Sequence, residues 1–278
     1  MIIPTLVFTA ALVMQTPAPA APAPPSPAPP PPASTEAVSQ AYLLFLQGRQ
    51  LDGQNNAVGA IAAYRRALLS LPQSAELHAE LAGALARTGK LNEAIAEALE
   101  AVKIEPPNRE ANRTLGLVQA EIADSTTDTT RASGLAHDAI KRLEIALVDR
   151  IVDPGAQLTL GRMYIVAGQY PKGIEVLRLF LLDQPGYPDA IVLLAEAYDG
   201  AHQTAEAITL LEASTTEMPR VSVMQDELGD LYFQLKRYRD AAGAFDRALT
   251  GDRSGIDVAL VTTKRDRAKA LAGRVQSS

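Results

Sequence analysis

Cysteine and tryptophan are absent from the 278 residues, and histidine occurs only three times. Without cysteine there is no disulfide framework, no thiol nucleophile and no thiolate site for zinc or an iron–sulfur cluster. The histidines, His78, His137 and His202, are far apart with no i, i+4 partner, so no metal site is expected and no cofactor is implied. No G-x-S-x-G, no G-x-x-x-x-G-K-[ST] and no G-x-G-x-x-G after a strand occurs. Cationic surplus is lacking too. The formal net charge is −6, which works against non-specific binding to nucleic acid or anionic membrane, since both reward Lys and Arg.

Basic residues are missing altogether before Arg49. What stands there instead is an apolar run from Ile2 to Met14, then Thr16-Pro17-Ala18-Pro19-Ala20 with small residues in an A-x-A arrangement. That order matches the apolar region and cleavage site of a secretory leader, with an n-region carrying only the α-amino charge. A bilayer-spanning helix needs about 20 apolar residues, and this run meets Pro17 first. Export with cleavage near Ala20, to the periplasm or the medium, is the expectation; an N-terminal membrane anchor is the alternative. Ten of the 19 prolines lie between Pro17 and Pro32, interleaved with Ala. Such a stretch reads as an extended tether reaching about 50 Å at ~3.1 Å per residue.

From about residue 36 the apolar spacing is helical, and the chain repeats itself. One column of small residues runs Gly48, Ala82, Gly116, Gly161, Ala195, Gly229, and a second runs Ala60, Ala94, Ala139, Gly173, Ala207, Ala241. Both step by 34 residues, apart from a single step of 45. Gln47, Leu81, Leu115, Leu160, Leu194 and Leu228 precede the first column; Leu51, Leu85, Gln119, Tyr164, Tyr198 and Tyr232 follow it by three. Later in each unit come Tyr64, Ala98, Leu143, Leu177, Leu211, Phe245 and then Ala67, Ala101, Ala146, Phe180, Ser214, Ala248. Pro72, Pro106, Pro185 and Pro219 close four of the units. Small residues let helix backbones approach, bulky columns fill the gaps between pairs, and Pro cannot continue a helix. The two columns place an eleven-residue insertion between Gly116 and Ala139. There the polar, Thr-rich stretch Asp124 to Arg131 reads as a loop.

This pattern resembles the tetratricopeptide repeat family over Ala41 to Arg253, in six units, although the family's Trp is missing and Ile151 and Arg253 stand where Pro would close units three and six. The resemblance implies an all-α, right-handed superhelical solenoid of about six antiparallel helix pairs. The organisation expected is a leader over 1–20, a tether over 21–35, six repeats over 36–253 with an insertion near 124–134, and a capping helix over 254–278. In that last helix Val261, Ala268, Leu271 and Val275 recur at helical spacing among Lys264, Arg265, Arg267 and Lys269.

The resemblance further implies that the first helices line a concave groove holding a partner's peptide or helix. The family's spacing, at i, i+3, i+7 and i+10, selects Tyr42, Phe45 and Arg49 in the first unit. It selects Arg113, Leu117, Leu158, Arg162 and Ile165 in the third and fourth. In the fifth and sixth it selects Asp189, Glu196, Asp199, Asp226, Asp230 and Phe233. Phe45 and Arg49 occupy the places where some members carry a Lys and Asn clamp for a terminal carboxylate, so that clamp is not expected. The groove should change from apolar and mildly basic to acidic along its length, with Asp226 and Asp230 facing solvent and no basic residue among the last eight positions.

Together these features imply a protein-interaction scaffold, not an enzyme, in a cell envelope. Its partner would be a protein or peptide offering an apolar anchor followed by Lys or Arg, with no nucleic acid and no stable membrane span. A self-assembling structural component is the alternative from another class, and an enzyme subunit is a further one.

Overall fold

The computed structural model describes residues 34–148 and 153–275; the expected leader and nearly all of the tether fall outside them. The described residues form thirteen α-helices. The first six pairs are α1 (Thr35–Gly53) with α2 (Ala57–Ser70), α3 (Ala75–Arg87) with α4 (Leu91–Ile104), and α5 (Arg109–Asp124) with α6 (Thr129–Ala146), followed by α7 (Pro154–Val166) with α8 (Tyr170–Asp183), α9 (Pro188–Gly200) with α10 (Thr204–Glu217), and α11 (Ser222–Gln234) with α12 (Tyr238–Thr250). A lone helix, α13 (Val258–Val275), follows. The result is an all-α solenoid of helix pairs with a C-terminal helix.

Local chemistry sets the boundaries. Ser34, Asn56, Ser74, Asn108, Asp128 and Asp153 each accept a backbone N–H in the first turn of the helix they precede, which satisfies donors the helix cannot. Pro154 and Pro188 open α7 and α9, where a missing N–H costs nothing. Within five of the six pairs the turn is three residues long and its middle residue adopts positive φ: Asn55, Gly89, Gly168, His202 and Lys236. These five share one place in the repeat. His202 is therefore a turn residue with φ of 62°.

Packing follows the columns. A Cβ on Gly229 would lie 2.5 Å from the Phe245 ring, and one on Gly161 would lie 2.7 Å from Leu177. Where the second helix carries Ala98, the first carries Ala82 in the same buried cluster; Ala195 shares a cluster with Leu211. Aromatic rings on the second helix face Gly on the first, Gly48 with Tyr64 and Gly229 with Phe245, because a Cβ there would overlap the ring.

The insertion is not a loop. α5 and α6 are 16 and 18 residues long, against 13 or 14 for helices α2 to α4 and α7 to α12, and only four residues separate them. Counted from Gly116 and Ala139, α5 is longer by three residues and α6 by seven, and the turn gains one. The polar composition hid an alanine seam: Ala120, Ala123, Ala132 and Ala136 are buried between the two helices. Asp128 caps α6 through Thr130 N and Arg131 N.

The ends of the stack are polar where its middle is apolar. Gln47 is exposed, whereas Leu81, at the same place in the next unit, packs with Ile61 and Tyr64 of the preceding helix. α13 continues the 34-residue period as a first helix would, burying Val261 and Ala268 against α12. It carries Thr262, Thr263 and Asp266 where α11 has Leu228, Gly229 and Tyr232, and Thr263 and Asp266 are exposed because no second helix follows among the described residues.

Candidate functional site

First helices pack on one another, α3 on α5, α5 on α7, α7 on α9 and α9 on α11, while second helices do not do so to the same extent. The first helices therefore form the inner, tighter side of the stack, and the fourteen residues proposed for the groove all lie on them. The structure divides that face into three stretches of different chemistry.

The N-terminal stretch combines aromatics with paired charges. Tyr42 is 60% exposed and its ring centre lies 6.2 Å from that of Phe45, which in turn sits 6.3 Å from Tyr64. Arg49 donates to Glu80 at 2.6 Å and Arg87 to Asp52 at 2.5 Å, so each arginine bridges α1 and α3. Arg113 Nε reaches Asp153 Oδ2 at 2.5 Å, and its Nη1 lies 3.5 Å from Glu110 Oε1. Burial raises the Glu110 carboxyl above the usual range, opposed by Arg113. Burial would do the same to Asp153, but hydrogen bonds from Arg113 and from the Ala156 and Gly155 backbone outweigh it and hold that carboxyl low. Arg49, Arg109 and Arg113 with Glu80, Glu110 and Asp153 line a cavity of about 520 Å³ whose formal charges cancel.

In the middle stretch Leu158, Arg162 and Asp189 come together with Val192, Leu193 and Val223 around a cavity of about 250 Å³ between α7, α9 and α11. Arg162 is anchored to Asp124 at 3.0 Å, on one of the residues added to α5. Leu117 and Ile165 do not join this cavity; they are half-buried against neighbouring core clusters.

The C-terminal stretch departs from expectation. Lys264 of α13 lies between Asp226 and Asp230, at 3.1 Å and 2.5 Å, so these two aspartates hold the last helix instead of facing solvent. Burial pushes the Asp226 carboxyl up against the pull of Lys264. Phe233 lies beneath the Arg267 guanidinium at 5.2 Å, and Asp199 accepts from Thr204 at 2.6 Å and Gln234 at 3.3 Å. The expectation of an unrelieved acidic end fails because α13 enters in register and carries Lys where α11 carries Asp230. Among the described residues, the carboxylates of this stretch left with neither a cationic partner nor a side-chain hydrogen bond are Glu196 on α9 and Glu227 on α11. Burial raises Glu196, and it raises Glu227 to about 7, with Glu196, Asp230 and Asp226 adding to the shift and Lys264 opposing it.

Glu227 belongs to a column the four-position spacing omits: Leu46, Glu80, Thr114, Thr159, Leu193, Glu227, at i+4. Glu80 pairs with Arg49, and Thr159 and Leu193 line the middle cavity. Helical geometry supplied the signal, since i+4 lies on the face defined by i, i+3 and i+7.

The histidines play no part here. His78 Nδ1 is 2.6 Å from Glu97 and its Nε2 is 3.1 Å from the Pro72 carbonyl. Among the described residues no group of three or more His, Asp or Glu could hold a metal ion, and no helix is long and apolar enough to cross a membrane.

The sequence model of the tetratricopeptide repeat matches residues 45–110 and 192–256. Curated proteins give no significant match. Among solved structures, a tetratricopeptide repeat protein from Parabacteroides merdae ATCC 43184 superposes with a TM-score of 0.59 at 17% identity, covering 86% of this chain and 93% of the other. PilW, a type IV pilus biogenesis factor, gives 0.59 at 16%, covering 80% and 98%. YrrB, described as having an unusual peptide-binding site, gives 0.56 at 16%, covering 73% and 98%.

Proposed function

The chain is a tetratricopeptide repeat protein, and on that premise we propose that it is an interaction scaffold whose inner face holds a segment of another protein. Proteins of this fold typically mediate protein–protein contacts and bind peptides. The observation that carries the finer reading is the pair Glu196 and Glu227, which have no cationic partner among the described residues and follow, about one helical turn on, Val192, Leu193 and Val223 of the middle cavity. An aliphatic side chain fills the cavity, and a Lys or Arg farther along the same segment meets the two glutamates. Asp226 and Asp230 take no share, because Lys264 already occupies them. The change in chemistry along the face fixes one orientation of the segment.

A phage-displayed library of random 12-residue peptides, selected on the full chain, tests this. Enriched sequences should pair an aliphatic residue with a basic one, and the double variant Glu196→Gln/Glu227→Gln should lose the preference for the basic residue. Enrichment without basic residues, or none at all, removes the reading.

The site of action proposed is the cell envelope. The support is the apolar run Ile2 to Met14 with its small-residue site, residues outside those the structure describes. Intact-mass measurement after expression in a secretion-competent host should give a chain beginning near Ala21; a full-length mass in the membrane fraction would support an anchor.

A further inference from the structure

The opposite side of the stack carries a second apolar feature. Between α8 and α10, the second helices of neighbouring pairs, lies a cleft of about 670 Å³ floored by Leu181, Leu194, Tyr198 and Leu210. It exists because the two helices differ in bulk. α8 presents Leu179 and Leu182, which are 54% and 78% exposed, where α10 at the same places in the repeat has Ala213 and Thr216. Ala205 and Thr209 of α10 are too small to close the gap. Exposed leucines beside an apolar cleft mark an interaction site more often than a single exposed leucine does.

Two charges border the cleft, Arg178 on α8 and Glu206 on α10. Both are exposed, and neither has an ion pair or hydrogen bond within the described residues, although 17 ion pairs form elsewhere. The cleft itself therefore has an apolar floor bordered by one free charge of each sign on different helices. Such a surface complements itself. In a two-fold arrangement every contact occurs twice, with residue i meeting j and j meeting i. An axis perpendicular to the line from Arg178 to Glu206 sets each arginine against the other copy's glutamate and covers the leucines and the cleft at the centre.

We propose that the outer cleft between α8 and α10 is a two-fold dimer interface, its partner a second copy of this chain. The inner face stays open in the dimer, so the proposal is independent of what that face binds.

Sedimentation equilibrium of the full chain tests it, with charge reversals as the probe. The wild type should dimerise. Arg178→Glu and Glu206→Arg should each weaken dimerisation at least tenfold, because like charges then meet at both symmetry-related contacts. The double variant Arg178→Glu/Glu206→Arg should restore it. Leu182→Ser should weaken it without changing the circular dichroism spectrum, since that side chain touches solvent in the monomer. A wild type that stays monomeric at about 100 µM, or a dimer indifferent to the single reversals, overturns the proposal and leaves the cleft to a different protein.

Discussion

Lys264 Nζ sits 3.1 Å from both carboxylate oxygens of Asp226 and 2.5 Å from Asp230, tying the last helix to the first helix of the sixth pair. The Lys264 side chain is only 24% exposed, so water weakens this triad less than it does the more exposed surface pairs. Lys264→Met keeps an unbranched apolar chain and removes the ammonium, which lies 5.8 Å from the Phe245 ring centre. It should cost about 1.5–3 kcal/mol, the range for hydrogen bonds to charged groups, and hydrogen exchange should quicken first in α13 and α12. Reversing Asp226 and Asp230 to Lys should loosen α13 as well, so those variants would not isolate partner binding.

Glu227 makes stability depend on pH. Its folded-state pKa, about 7, lies above its usual value near 4.5, so between these values the folded chain holds more protons than the unfolded chain and stability falls as pH rises. Glu227→Gln removes the effect. The substitution should stabilise at pH 8 by about 1–3 kcal/mol and change little at pH 4.5, as read from urea midpoints at the two pH values.

The turns offer a test of backbone strain. Lys236 and His202 hold positive φ where Gly89 and Gly168 do so freely. Lys236→Gly and His202→Gly should each stabilise by about 0.5–1 kcal/mol, because left-handed backbone costs a side-chain-bearing residue more than glycine loses in the unfolded chain. Gly168→Ala should destabilise by a similar amount, and thermal melts of the three variants check the sign.

The lengthened third pair depends on its cap and its alanine seam. Asp128→Ala should cost about 1 kcal/mol. Deleting Ser125 to Arg131 removes the cap and shortens α6, yet leaves Gly116 against Leu143, so the array should melt at lower temperature and lose helical content only in the third pair. Loss of the whole fold would mean that Arg162, anchored on Asp124, transmits the damage to the fourth pair.

The repeat was legible because packing is periodic. The turns of five of the six pairs inherit their place from the columns, and Gly229 opposite Phe245 restates in space a spacing already visible in the sequence. The extra helical turns were not legible, since Thr and Asp there signal a loop while the stabilising feature is four buried alanines. The groove was legible as a set of positions but not as a pattern of charge. Asp226 and Asp230 read as open carboxylates until Lys264, 38 and 34 residues away, is placed between them. The unpaired glutamates emerge by subtraction, and only the fold performs it.

α13 behaves as a first helix toward α12 and as a terminus on its far side. A further helix pair inserted between them would find an acceptor on each flank: the Phe245 side of α12 for its first helix, and Val261 and Ala268 for its second. The same pair appended after α13 would meet Thr263 and Asp266, and nothing there could hold it. Growth of this array by duplication is thus confined to its interior, and its length can change while its C-terminal boundary stays the same.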